Sequence, residues 1–193
     1  MKPSFQLSHP VIAAVRTPTL LPTALKSKVK VIFLMGGDLC QAHDITRQTQ
    51  ASGKQIFLHV DLLKGIGRDR EAIEFIHKKI RPEGIVTTKP HLLQAANKQG
   101  LATVLQIFMI DSQAFETGIK NIHSYQPDAV EIMPGLMPRI AMQVKAAIEA
   151  PLICAGMIKQ PNEVETMLEV GCEGIAASET ALWNYLPNTK KTL

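Results

Sequence analysis

Eight short apolar runs recur along the chain at nearly even spacing. Each run is followed by a Gly, Pro, Asp, Thr or other polar residue and then by a stretch with helical character. The runs are Val11–Val15, Val31–Met35, Ile56–Val60, Gly84–Thr88, Thr103–Ile110, Ala129–Met133, Pro151–Ala155 and Gly174–Ala177. Nearly continuous apolar strands are typical of a parallel sheet that is buried on both faces. Eight alternations of strand and helix therefore predict an α/β protein with a single-domain (β/α)8 TIM barrel.

Helix signals occupy the stretches between the runs. Asp38 and Asp111 each precede such a stretch, and Asp is favoured at the N-cap of a helix. An apolar stripe predicts another helix over Asp69–Ile80. The chain has 193 residues, whereas barrels of this kind have ~250. We therefore expect one domain over residues 1–193, compact with short loops, and a flexible tail over residues 188–193.

Composition limits the classes of partner. Apolar residues make up 46% of the chain, which is ample for a core, and the net charge of +4 permits an anionic partner without requiring one. Cys154 and Cys172 lie in or beside apolar runs, so we interpret them as small buried thiols in a reducing, cytoplasmic compartment. No apolar run approaches the ~20 residues that span a membrane, and no secretory signal is visible. We therefore expect no membrane partner.

Polar side chains inside three of the apolar runs are the first candidates for chemistry. In a barrel of this kind the functional site lies at the carboxyl ends of the strands. His59, Gln106 and Glu131 are each flanked by apolar residues. A carboxylate packed against helices is costly, so we expect Glu131 to point inward and upward, where Arg16 and Lys89 could pair with it across the mouth. The alternative is that these polar groups form a structural layer that ties the barrel together.

A phosphate site is predicted at the ends of the last two strands. Gly156 follows the seventh run and Ser178 follows the eighth. Phosphate often binds between these two loops in (β/α)8 proteins, on backbone N–H groups and a helix N-terminus. Gly156 would allow close backbone approach, and Ser178 would add a hydroxyl donor. The alternative is an ordinary turn glycine and an ordinary N-cap serine.

Charged residues near the third run and at the helix ends carry further hypotheses. Asp61 and Lys64 either contact ligand hydroxyls or pair with each other in solvent. The histidines lack metal-ligand spacing and no cofactor fingerprint is present, so we predict neither a metal nor a cofactor. One set of cations lies at the predicted bottom of the barrel, where it either complements helix dipoles or binds nucleic acid phosphates. This set is Lys26, Lys28, Lys30, Lys54, Lys78, Lys79, Arg81 and Lys98.

Six segments, taken in chain order, resemble the glycerol-3-phosphate-responsive antiterminator family. They span residues 12–16, 57–61, 84–89, 106–112, 126–135 and 155–158, and the most specific are QIFMIDS at 106–112 and PDAVEIMPG at 127–135. The resemblance implies a bacterial regulator of glycerol uptake and catabolic operons. It implies that glycerol 3-phosphate is the effector and that the partner is the leader of a nascent mRNA, where polymerase then reads past a terminator. The family's Ala-Gly-Gly is here Ala155-Gly156-Met157, with one glycine fewer.

The resemblance favours an RNA-binding regulator over two other classes. One is an isomerase or aldolase-like enzyme for a small phosphorylated metabolite, with Glu131 as base and Lys89 as electrostatic partner. The other is an interaction protein with a vestigial site. We predict eight ligand-binding residues: Arg16, His59, Asp61, Lys89, Gln106, Glu131, Gly156 and Ser178.

For RNA we predict contacts from Lys64, Arg68 and Arg70, in a loop that contains Gly65 and Gly67 and that the effector would order. A homodimer promoted by the effector is the alternative route from effector to RNA. The basic residues at the bottom of the barrel are the alternative surface for RNA.

Overall fold

All eight apolar runs form strands in the computed structural model of the chain, which describes residues 5 and 7–187. The strands are β1 (Val11–Val15), β2 (Val31–Leu34), β3 (Gln55–His59), β4 (Gly84–Thr87), β5 (Ala102–Phe108), β6 (Ala129–Met133), β7 (Leu152–Ala155) and β8 (Gly174–Ala177). They form a closed barrel in chain order, and β8 pairs in parallel with β1. The predicted TIM barrel is confirmed. The tail predicted over residues 188–193 lies outside the described residues.

The helices alternate with the strands as predicted. They are α1 (Leu21–Lys26), α2 (Leu39–Ala51), α3 (Arg70–Phe75), α4 (Pro90–Lys98), α5 (Ser112–Tyr125), α6 (Pro138–Ala147) and α7 (Pro161–Glu169). Short 3-10 helices span Pro18–Leu20 before α1 and Thr180–Asn184 after β8. The helix predicted over Asp69–Ile80 changes character after Phe75, because Ile76–Ile80 forms a π-helical turn.

Strand β5 is shorter than its apolar run. The run was predicted to continue to Ile110, but the strand ends at Phe108. The backbone N–H of Ile110 bonds back to the carbonyl of Phe108 in a turn, and the Ile110 side chain is 82% exposed. Beyond the strand, Ile110 is therefore exposed, whereas Met109 is buried in the apolar layer between the sheet and the helices.

Aspartates cap three helices at the carboxyl ends of the strands. The side chains of Asp38, Asp69 and Asp111 accept hydrogen bonds from backbone N–H groups in the first turns of α2, α3 and α5. This confirms the N-cap role predicted for Asp38 and Asp111. Such caps satisfy otherwise unpaired donors and place negative charge at the positive end of the helix dipole.

Apolar side chains pack in two layers, one between the strands and the helices and one inside the barrel. The outer layer packs the helices against the sheet and contains both Cys154 and Cys172, which are buried, free thiols as predicted. The inner layer fills the barrel, and Phe5 and Leu7 pack against it. The rings of Phe5 and Phe57 meet edge to face with centroids 5.4 Å apart. Side chains therefore fill the barrel on the amino-terminal side of His59, and the space for a ligand lies at the mouth, at the carboxyl ends of the strands.

Candidate functional site

A cavity of about 740 Å³ opens at the carboxyl ends of the strands. This volume is in the range of small-molecule sites. Seven of the eight predicted ligand-binding residues line it, namely Arg16, His59, Asp61, Gln106, Glu131, Gly156 and Ser178. The cavity has a polar floor of His59, Gln106 and Glu131. Its upper wall is apolar and includes Leu62, Phe108 and Met157, which are 47%, 48% and 68% exposed.

Glu131 lies at the centre of this floor and is completely buried. Its Oε2 accepts a hydrogen bond of 3.0 Å from Gln106 Nε2, and no described group bonds its Oε1. Burial raises the pKa of Glu131 to about 7, and the hydrogen bond from Gln106 opposes this rise. Near neutral pH the carboxyl group can therefore serve either as a neutral donor or as an anionic acceptor.

The expectation that Arg16 or Lys89 pairs with Glu131 is wrong for the described structure. Gln106 takes that place because Gln106 and Glu131 are register partners on β5 and β6, so that their side chains leave the sheet side by side. Lys89 does not line the cavity at all. Thr88 takes the inward position at the end of β4, and Lys89 begins the turn into α4, where its N–H donates to Thr87 Oγ1.

His59 continues the polar floor across the barrel. Its Nε2 lies 3.0 Å from Gln106 Oε1, and burial lowers the pKa of His59, so the imidazole is neutral. Because the Gln106 oxygen accepts, Nε2 carries the proton and Nδ1 is left as an acceptor. No described group bonds Nδ1.

The three side chains thus form the polar layer offered as an alternative, but the layer is incomplete. Two buried atoms of the layer, His59 Nδ1 and Glu131 Oε1, have no hydrogen-bond partner in the part of the chain that the structure describes. An unsatisfied buried polar atom costs about 1–3 kcal/mol. A polar ligand that bonds both atoms would recover this free energy.

Asp61 connects the ends of β3 and β4. Its carboxylate accepts hydrogen bonds from Thr87 Oγ1, Thr88 N and Thr88 Oγ1 at 3.1, 2.6 and 3.0 Å. It therefore does not pair with Lys64 in solvent, which was one of the two alternatives. Asp61 holds Thr88 at the cavity wall, and Thr88 is a lining residue that the sequence-based site omitted.

Gly156 and Ser178 reach the cavity from β7 and β8. Gly156 has φ +81°, and a Cβ there would lie 2.7 Å from Met133 Cε. Ser178 is not an N-cap, because the short 3-10 helix after β8 is capped at Glu179. A short helix therefore does begin just after β8, at Thr180, but Ser178 lies one residue before its N-cap. Arg16 lines the same cavity from β1, the neighbour of β8, and brings a cation to this side.

A second cavity of about 780 Å³ lies at the opposite end of the barrel, between the ends of α5 and α6. Its lining includes the carboxylates of Asp128 and Glu149. His123, also in the lining, bonds the carbonyl of Ala147 through Nε2. Two carboxylates make this cavity unsuitable for a phosphate, so the mouth cavity is the better candidate site.

Among the described residues, no group of three or more His, Cys, Asp or Glu side chains could hold a metal ion. In the same part of the chain, no helix combines the length and apolar character needed to cross a bilayer.

Comparisons with known proteins agree with this architecture. The family described as glycerol-3-phosphate responsive antiterminator matches residues 11–183. The Escherichia coli K12 protein YgcP, described as uncharacterized, is 31% identical over 175 residues, which are 91% of this chain and 92% of YgcP.

Two solved structures are similar along nearly their whole length. The glycerol uptake operon antiterminator regulatory protein of Listeria monocytogenes has a TM-score of 0.88 and 26% identity, with 95% of this chain and 98% of that chain covered. A glycerol uptake operon antiterminator-related protein of Thermotoga maritima has a TM-score of 0.82 and 29% identity, with 93% and 100% covered.

Proposed function

Because the chain belongs to the glycerol-3-phosphate responsive antiterminator family, we propose that glycerol 3-phosphate is its effector and binds in the mouth cavity. In response, the protein acts in the cytoplasm on the leader mRNA of glycerol uptake and catabolic genes, and polymerase reads past a terminator. The observation that carries the ligand proposal is that His59 and Glu131, which line the cavity, have buried atoms, Nδ1 and Oε1, without hydrogen-bond partners among the described residues.

The proposed pose follows from the distribution of polar groups. The glycerol hydroxyls lie on the floor, where one donates to His59 Nδ1 and another bonds Glu131 Oε1. Thr88 and Gln106 complete the polar surroundings. The phosphate lies at the rim, on the side of Gly156 and Ser178, where Arg16 supplies a guanidinium that suits phosphate oxygens.

The structure does not bring together the two residues that the enzyme alternative needs. That alternative requires Glu131 as base and Lys89 as electrostatic partner, but Lys89 is outside the cavity lining and forms no ion pair with Glu131. The family description is of a regulator. Turnover separates the two classes: we expect calorimetry to give stoichiometric binding of glycerol 3-phosphate, and phosphorus NMR to show the bound compound unchanged after release. Conversion of the compound would contradict the regulatory proposal.

The placement of the phosphate is tested by Gly156→Ala with Gly53→Ala as its matched control. Both glycines have positive φ, +81° and +74°, so both alanines carry a conformational cost of about 1 kcal/mol. A Cβ at Gly53 meets nothing within 4 Å, whereas one at Gly156 intrudes on Met133 at the cavity wall. We expect about tenfold weaker glycerol 3-phosphate binding for Gly156→Ala only. Equal affinity in the two variants would place the phosphate elsewhere.

The RNA proposal is tested by a gel shift of the leader transcript with and without glycerol 3-phosphate. The expected coupling is about 5- to 150-fold in RNA affinity. An unchanged RNA affinity upon saturation with the effector would contradict a glycerol 3-phosphate-responsive action on the leader.

A further inference from the structure

The amino-terminal end of the barrel carries an uneven distribution of charge. Six exposed cations lie where α1 leads into β2, where α3 leads into β4, and where α4 leads into β5. They are Lys26, Lys28, Lys30, Lys79, Arg81 and Lys98, and we call them the basic arc. Strands β2 to β5 are consecutive neighbours in the sheet, so these connections lie side by side at one end of the barrel.

Hydrogen bonds tie these connections into one surface. Lys54, which is buried between α2 and β3, donates from Nζ to the carbonyls of Ser27 and Val29 at 2.7 and 2.5 Å. Gln50 Nε2 donates to the carbonyl of Arg81 at 2.9 Å. The loop that presents Lys28 and Lys30 is thus fastened to the neighbouring connection, and the arc is held in a defined shape.

Carboxylates do not neutralise the arc. None of its six side chains forms an ion pair with a carboxylate of the described residues. Lys78 pairs with Glu74 and is not counted in the arc. Glu83 lies two residues after Arg81, and its carboxylate already accepts hydrogen bonds from Gln50 Nε2 and from the backbone N–H of Ile56.

The dipole explanation for these cations accounts for only part of the pattern. Lys26 and Lys98 lie in the last turns of α1 and α4, and Lys79 lies in the π-helical turn that ends at Ile80, so each of these cations complements a helix dipole. Lys28 and Lys30 lie beyond the end of α1. On the other half of the same end, the connections before β6, β7 and β8 carry Asp128, Glu149 and Glu173, and Glu173 pairs with Lys145 in the last turn of α6. A general requirement of helix ends does not explain why exposed cations lie in the connections before β2 and β4, whereas the connections before β6, β7 and β8 contain none.

The mouth loop with Lys64, Arg68 and Arg70 is a weaker candidate for binding a polyanion. Three carboxylates, Asp38, Asp61 and Asp69, lie in the same loop or in the loop paired with it. Arg68 Nη2 already donates to the carbonyl of Asp61 at 2.7 Å. The loop is also joined to its neighbour through backbone hydrogen bonds of Lys64. The three carboxylates offset the charge of the three cations, whereas Glu83 is the one carboxylate in the connections before β2, β4 and β5.

We propose that the basic arc is the RNA-binding surface, so that RNA phosphates contact the end of the barrel opposite the effector cavity. This inference rests on the proposed antiterminator function, which supplies an RNA as the anionic partner. Six cations without an ion-pair partner among the described residues suit a chain of phosphates, because each lysine that contacts a phosphate releases a counterion. The connections before β6, β7 and β8 offer carboxylates and no cations, which would favour an RNA orientation along the arc.

The test compares two triple variants that remove the same charge. Lys28→Gln, Lys30→Gln and Lys79→Gln together weaken the arc, and Lys64→Gln, Arg68→Gln and Arg70→Gln together weaken the mouth loop. Binding of the leader transcript is measured from 50 to 200 mM salt, with saturating glycerol 3-phosphate. We expect the arc variant to lose about tenfold or more in affinity and about 2 to 3 in the slope of log affinity against log salt. We expect the mouth variant to retain both.

Controls and outcomes separate this inference from the proposed function. Calorimetry should show the wild-type affinity for glycerol 3-phosphate in the arc variant, since its changes lie at the other end of the barrel, and thermal melting should show that both variants are folded. If RNA affinity falls in the mouth variant and not in the arc variant, or if it falls equally in both, the arc is not the RNA-binding surface. If the wild-type protein fails to bind the leader at any salt concentration, the proposed function itself is wrong.

Discussion

Replacement of Glu131 by glutamine should change how the stability of the protein depends on pH. Glutamine has nearly the shape of glutamic acid and can still accept from Gln106 Nε2, but it does not titrate. In the folded wild type, burial raises the pKa of Glu131 from its ordinary 4.5 to about 7. The folded protein therefore binds one proton more than the unfolded chain between these two values.

The sign and size of the effect follow from proton linkage. Where the folded state binds more protons, the free energy of unfolding falls as pH rises. Each pKa unit corresponds to about 1.4 kcal/mol, so the wild type should lose about 3 kcal/mol between pH 4.5 and pH 7 from this residue. Stability from neutral Glu131 is fully present below pH 4.5 and is lost as pH rises through about 7. Glu131→Gln should not show this loss.

Urea unfolding of the ligand-free protein provides the assay, and the single tryptophan, Trp183, is the probe. Trp183 is buried and its Nε1 donates to the carbonyl of Ala177, so its fluorescence should report unfolding. The free energy of unfolding of Glu131→Gln, minus that of the wild type, should rise by about 3 kcal/mol across this pH window. With a urea dependence of about 1–3 kcal/mol per molar, the corresponding midpoint shift is about 1 M or more.

The difference between the two proteins is the informative quantity because His59 titrates in an overlapping range. Burial lowers the pKa of His59, so its contribution to stability is lost as pH falls below its ordinary value of 6.5. This trend has the opposite sign to that of Glu131 and is common to both proteins. A difference that stays flat from pH 4.5 to 8, or that favours the wild type as pH rises, would refute the reasoning.

Two further predictions concern stability. Gly84→Ala should lower the free energy of unfolding by several kcal/mol in urea titrations. A Cβ at this position would lie 2.3 Å from the carbonyl oxygen of Ala102 and 2.4 Å from the Phe57 ring. An alanine variant as stable as the wild type would contradict the tight packing of β4 on β5. Lys54→Met should lower the free energy of unfolding by about 1–3 kcal/mol, since it leaves the buried carbonyls of Ser27 and Val29 without their hydrogen-bond donor. The control is Lys98→Met, which is at an exposed position and should change this free energy little.

The barrel could be predicted from the sequence because each strand is a short apolar run and the runs recur at a fixed spacing. Boundaries were less certain where apolar residues serve another purpose. Met109 and Ile110 continue the β5 pattern beyond the end of the strand, where Met109 is buried in the core and Ile110 is exposed. The change from α3 to a π-helical turn at Ile76 leaves the apolar stripe intact, so the stripe alone could not reveal it.

The sequence indicates individual residues of the candidate site but not which of their side chains contact one another. His59, Gln106 and Glu131 stood out because they interrupt apolar strands, yet their mutual hydrogen bonds depend on register across the barrel, which no local pattern encodes. The same limit explains Lys89, which the sequence places at the end of the fourth strand, where it could reach an inward-facing Glu131 across the mouth. The apolar wall at Phe108 was missed because an apolar residue at a strand end cannot be told from core by pattern alone.

The distribution of cysteines makes the molecule well suited to optical measurement. Cys40 is exposed in the first turn of α2, close to the mouth, whereas Cys154 and Cys172 are buried. The three are the whole complement of thiols in the chain. A maleimide dye should therefore react at one position of the folded wild-type protein, and a reporter attached there would lie at the effector's end of the barrel, away from the basic arc.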